Sequence, residues 1–119
     1  MYTVVIEIHA SPSNYWGKME FLDKVGNLHE RSFQGGQKAT VNSNALQAAI
    51  DAIGILNGIC LLDIHTDNDY LIGAIRNGWL KTWQENNWKN AKGSDVKNQE
   101  QWKILSGLLA YHSVRCTKI

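Results

Sequence analysis

His9, His65 and Asp67 are the residues whose types and spacing could do metal chemistry. Two imidazoles and a carboxylate form a ligand set for zinc or iron, and residues two apart on a strand share a face, so His65 and Asp67 could point with His9 toward one place. The plainer alternative is that His9 fills space as a neutral ring and His65 faces a helix. A second kind of chemistry is offered by residues 73–109, which hold four of the five tryptophans and alternate aromatic with basic residues at helical spacing. There Lys89, Lys92 and Lys97, helped by Arg76 and Lys81, could neutralise phosphates, while Trp79, Trp83 and Trp88 could stack on bases or sugars. The competing reading is a solvated run of lysines beside tryptophans that pack together.

The elements that must position these residues follow from periodicity. Residues 2–8 alternate and are rich in β-branched side chains, so they predict a strand that delivers His9 to its carboxyl end. Residues 18–22 and 28–33 flank the turn-rich Asp23-Lys24-Val25-Gly26-Asn27 and predict an antiparallel hairpin. A helix over 43–57 has Leu46, Ala49, Ile50 and Ile53 on one side and stops near Gly58. Residues 59–64 are nearly all apolar, as in a central strand, and the preceding helix is the crossover a parallel neighbour needs. His65 and Asp67 sit at the end of that strand. Asn68 or Asp69 caps the next helix, the Glu85-Asn86-Asn87 break redirects it, and a further helix from Asn98 carries Trp102, Leu105, Leu108 and Leu109. Residues 113–119 close the chain as a strand.

A net charge of +1 argues against nucleic-acid binding by the whole surface, so any electrostatic footprint is local to the tryptophan stretch. The 119 residues are expected to form a single domain. No apolar run approaches the ~20 residues of a membrane span. The amino terminus has no basic leader, so a cytoplasmic location is expected, with Cys60 and Cys116 as reduced core thiols.

The run Trp79-x3-Trp83-x4-Trp88-Lys89, then Val96-Lys97-Asn98-x3-Trp102-x2-Leu105, resembles the basic protrusion and following helix of bacterial-type ribonuclease H1. The order βββαβαβ fits that resemblance over nearly the whole chain. The resemblance implies an α/β, ribonuclease H-like fold: a five-stranded mixed sheet of order 3-2-1-4-5 with helices on both faces, here lacking the C-terminal helix. It also implies an arm that grips an RNA-DNA hybrid, and hydrolysis by two divalent metals held by carboxylates.

Residue by residue, the carboxylate closing the family's first strand falls on His9, and that of its first helix falls on Ala45. The carboxylate after the fourth strand falls on Asp67, the only one kept, and a substrate-contacting asparagine falls on Asn42. Glu7, Asp63 and Asp69 could act as substitutes only from displaced positions. The reading favoured by these matches is a non-catalytic ribonuclease H-like protein that binds nucleic acid, or a protein that handles it, through the tryptophan-lysine arm. It needs no cofactor. One alternative is a metal-dependent ribonuclease using Asp67, with magnesium or zinc. Another is a protein-interaction module or regulator on the same scaffold, in which the face left by the missing helix, expected to be apolar, invites a protein partner or a homodimer mate. No membrane partner is expected.

Overall fold

The computed structural model describes residues 2–119. Its elements are β1 (Tyr2–Ala10), β2 (Tyr15–Leu22), β3 (Leu28–Gly35), α1 (Val41–Gly54), β4 (Cys60–Thr66), α2 (Asp69–Arg76), α3 (Trp79–Glu85), α4 (Gln99–Leu109) and β5 (Ser113–Lys118). The strands form one sheet in the order β3-β2-β1-β4-β5, as the family resemblance implies. β1, β2 and β3 pair antiparallel, and β4 lies parallel to both β1 and β5. The parallel arrangement is possible because α1 and the α2–α4 segment provide the long crossovers that it requires.

The alternation in β1 separates the two faces of the sheet. Val4, Ile6 and Ile8 are buried and join Leu62 and Ile64 of β4 in a core completed by Leu46, Ala49 and Ile53 of α1 and Leu71 and Ile72 of α2. Burial of each large aliphatic side chain contributes about 1.5–3 kcal/mol of transfer free energy. The odd-numbered side carries Glu7 and His9, with Trp16, Lys18 and Glu20 of β2 in register and Asp63 and His65 of β4 beside them. The helices pack on the even-numbered side, and among the described residues no helical layer covers the other face. That face is mostly polar rather than apolar, with exposed Trp16, Leu22 and Leu28 on its β2–β3 side. Its Glu7, Lys18, Glu20 and Arg115 would lose hydration under an apolar partner.

Element ends differ from the sequence reading for local reasons. α1 starts at Val41 because the Thr40 side chain accepts the Ser43 amide at 3.0 Å, and it ends at Gly54 rather than near residue 57. β2 begins at Tyr15, three residues before the expected start at 18, so Trp16 lies within the sheet. β4 runs to Thr66 and includes His65. Cys60 and Cys116 are buried free thiols, as expected, and burial pushes the Cys116 thiol up to about 11. No helix is long and apolar enough to cross a membrane, among the described residues.

Candidate nucleic-acid interface and strand-end site

β1 and β4 are parallel, so the ends that carry His9 and His65 lie at the same edge of the sheet, with the exposed Asp67 following β4. Asn68 organises this edge. Its side-chain oxygen caps α2 by accepting the Leu71 amide at 2.8 Å, and its Nδ2 donates to Asn42 Oδ1 at 3.1 Å. Asn42, at the start of α1, is therefore held beside the loop that carries Asp67. Asn44 ties down the neighbouring loops, since its Nδ2 donates to the carbonyl oxygens of Ser11 at 2.9 Å and Gln37 at 3.1 Å. It is buried, and a buried amide without such partners would carry a large desolvation cost.

The structure does not bring His9, His65 and Asp67 together as a metal site. His9 Nε2 lies 3.5 Å from Glu7 Oε2, and its ring stacks on Trp16 at a centroid separation of 5.7 Å. His65 Nε2 is turned back along its strand to 3.0 Å from Asp63 Oδ1. That contact lacks hydrogen-bond alignment, so it is an ion pair only when the ring is protonated. Among the described residues no three His, Cys, Asp or Glu side chains converge closely enough to hold a metal ion. The expected zinc set is thus not formed, because each imidazole is directed at a carboxylate of its own strand.

The two-magnesium arrangement does not fit the residues present either. Ala45, where the resemblance requires a carboxylate, is a buried methyl group, and His9 offers a nitrogen where a hard ion favours oxygen. Asp67 alone is insufficient. The buried carboxylate on the open face is Asp63, whose Oδ2 accepts from Arg115 Nη2 at 3.0 Å. Burial works to raise its pKa, but the Arg115 hydrogen bond and the neighbouring His65 outweigh it and hold the carboxyl below the usual aspartate value.

The arm is built on its tryptophans. Trp102 is fully buried; its Nε1 donates to Tyr70 Oη at 2.9 Å, and that hydroxyl donates to the Lys97 carbonyl at 3.1 Å. Trp83 packs on Trp102 at 5.5 Å between centroids and on Trp79 at 6.3 Å. After α3 the chain reverses through Asn87 and Trp88, both in the left-handed region at φ 56° and 61°. The Trp88 amide donates to Trp83 O at 2.7 Å, and the Trp88 carbonyl accepts from Val96 N and Gln99 Nε2, each at 3.0 Å. Trp88 is half-buried, whereas Trp79 is 41% exposed. Trp83, Trp88 and Trp102 thus build the arm's scaffold, while Trp79 keeps an exposed face.

The lysines are not equivalent. Lys89 is ion-paired with Asp95 across an isolated antiparallel bridge, and this contact, with Lys89 as hydrogen-bond donor, lowers the Asp95 pKa. Arg76 donates to the Cys116 carbonyl at 2.7 Å, which fastens α2 to β5. Lys81, Lys92 and Lys97 are exposed, and none of the ion pairs among the described residues includes them. They are the arm's available cations.

Residues 10–119 match the sequence profile of the RNase H family. The chain belongs to the ribonuclease H family. It is 38% identical over 105 residues to a ribonuclease H of Chlorobium chlorochromatii (strain CaD3), a match covering 87% of this chain and 69% of that one. It is 44% identical over 93 residues to a ribonuclease H of Bartonella bacilliformis, covering 75% and 57% respectively. Its matches thus span between 57% and 69% of these relatives' lengths. Among solved structures, LC9-RNase H1, a type 1 RNase H with the type 2 active-site motif, superposes with a TM-score of 0.84 at 17% identity, over 100% of this chain and 63% of that one. LC11-RNase H1, solved in complex with an RNA/DNA hybrid, gives a TM-score of 0.58 at 13% identity, over 100% and 84%. At these identities the two structures establish the shared fold. This ribonuclease H family member therefore has the sheet order of the family fold.

Proposed function

We propose that the chain binds an RNA-DNA hybrid through its arm and does not cleave it by two-metal hydrolysis. The arm carries this reading: Lys81, Lys92 and Lys97 are displayed without ion-pair partners among the described residues on a scaffold fixed by Trp83, Trp88 and Trp102. Asn42, held by Asn68 at the same edge as Asp67, extends the contact to the start of α1. Family membership supports a hybrid as the ligand, and a hybrid is what the LC11-RNase H1 structure contains.

The non-catalytic part of the reading follows from the donor set. Ala45 cannot ligate and His9 is engaged with Glu7 and Trp16, which leaves Asp67 without the partners that two-metal hydrolysis requires. A magnesium-supplemented cleavage assay on a labelled hybrid tests this directly. The expected result is retention of intact RNA strand. RNA cleavage that disappears on Asp67→Asn would instead establish an active ribonuclease.

A further inference from the structure

We propose that Trp16 and His9 form a stacking platform for an unpaired nucleobase on the open face of the sheet, beside the edge where Asn42 and Asp67 lie. The proposal rests on the reading that the chain binds a hybrid, and it adds a second contact surface used by single-stranded nucleotides flanking the duplex.

The platform follows from strand register. His9 of β1, Trp16 of β2 and Gln34 of β3 are successive cross-strand partners, so their side chains form one row across three strands. The next row places Lys18 opposite Glu7 on β1 and Ser32 on β3. The His9 and Trp16 rings are stacked, 5.7 Å between centroids and inclined by only 16°. Trp16 is 43% exposed although it sits within a sheet. A tryptophan held by an aromatic neighbour on one side and open to water elsewhere loses little conformational freedom when a third ring is added. It is also too polar in its surroundings to act as a seat for an apolar helix.

Charge and hydrogen-bonding capacity select the ligand. Lys18 is exposed, is absent from the ion pairs among the described residues, and faces the same side as Trp16. Gln34 and Ser32, both exposed, offer donors and acceptors at the far end of the two rows. A flat aromatic, one cation and neutral hydrogen-bonding groups on a sheet surface suit a base with its adjoining phosphate, the arrangement by which single strands are held without sequence preference. Glu20 and Glu30 occupy the row below and would repel a backbone running down the sheet, which confines the contact to about one or two nucleotides at the upper edge.

The test compares binding of a blunt RNA-DNA hybrid with that of the same hybrid carrying a short uridine overhang. A third probe has an abasic overhang of equal length. The uridine overhang should tighten binding by roughly tenfold, the scale of one stacked base, and the abasic overhang should not. Trp16→Ala should erase the gain and Trp16→Phe should keep most of it, while both bind the blunt hybrid as the parent does. Lys18→Glu should reduce the gain without altering the blunt affinity, which keeps the proposal testable if Trp16→Ala folds poorly. An equal gain from the abasic overhang, or a gain that survives in Trp16→Ala, would overturn the platform while leaving the arm reading intact. Failure of the parent to bind any of the three probes would overturn both.

Discussion

The arm and the strand-end edge contain similar kinds of residues, yet they are held in opposite ways. In the arm, aromatic rings pack on one another and on Tyr70, and backbone hydrogen bonds from Trp88 lock the turn, leaving three lysines free at the surface. At the strand end, the polar groups are directed at one another in pairs, His9 at Glu7 and His65 at Asp63, and no metal-sized cluster results among the described residues. The difference teaches that a tryptophan pattern can be fixed by packing alone, independently of what the neighbouring strand ends can do chemically.

The largest effect expected from breaking this contrast is in the arm's foundation. Trp102→Ala should destabilise the fold by about 3–5 kcal/mol, measured by denaturant unfolding, because it removes a fully buried ring and leaves the Tyr70 hydroxyl oxygen without the indole N–H it accepts from. A loss below about 1 kcal/mol would show that the arm is not keyed to the core through this residue.

A smaller effect is expected at Gly73, where an added Cβ would lie 2.9 Å from the Trp79 ring. Gly73→Ala should cost about 1–3 kcal/mol through overpacking, and Trp79→Leu in the same chain should recover part of it. Thermal unfolding of the single and double variants would establish whether the α2–α3 junction has this fit.

At the strand end, Arg115→Ala should cost about 1 kcal/mol at neutral pH, modest because Arg115 is largely exposed and water can replace part of its bond to Asp63. Asp63 has a lowered folded-state pKa, so its ion pair stabilises the fold above the unfolded aspartate value of about 3.9 and is lost as pH falls through the folded value. The gap between parent and variant should therefore be widest near neutrality and close below about pH 4. A gap independent of pH would show that Arg115 acts through packing alone.

Much of this organisation was legible in the sequence. The β1 alternation, the Asp23–Asn27 turn and the apolar β4 carry one-dimensional signals, and together with the family resemblance they lead to the observed strand order. Burial of Trp102 was legible from its helical spacing with Leu105. The state of the lysines was not, because pairing of Lys89 with Asp95 depends on a bridge that forms only after two left-handed residues reverse the chain. Trp88 has the same origin: it follows the polar Glu85-Asn86-Asn87 break, yet the reversal folds it back to half-burial against the body of the protein. Asn44 carries a usable sequence sign of a buried hydrogen-bonding role, a polar residue amid Ala45, Leu46, Ala48 and Ala49 on a helix. Trp16 lies ahead of the strand expected over 18–22, so its register with His9 is visible only in the folded sheet.

Binding of a blunt RNA-DNA hybrid as a function of salt tests the central claim most directly. If the three available lysines Lys81, Lys92 and Lys97 each neutralise a phosphate, log Kobs should fall against log salt with a slope of about −2.7. Lys89→Ala should barely change that slope, since its charge is already met by Asp95, whereas Lys92→Ala with Lys97→Ala should reduce it to about −0.9 and weaken low-salt binding severely. A double variant that binds the hybrid as tightly as the parent, with an unchanged slope, would contradict the account and leave the arm as packing without a ligand.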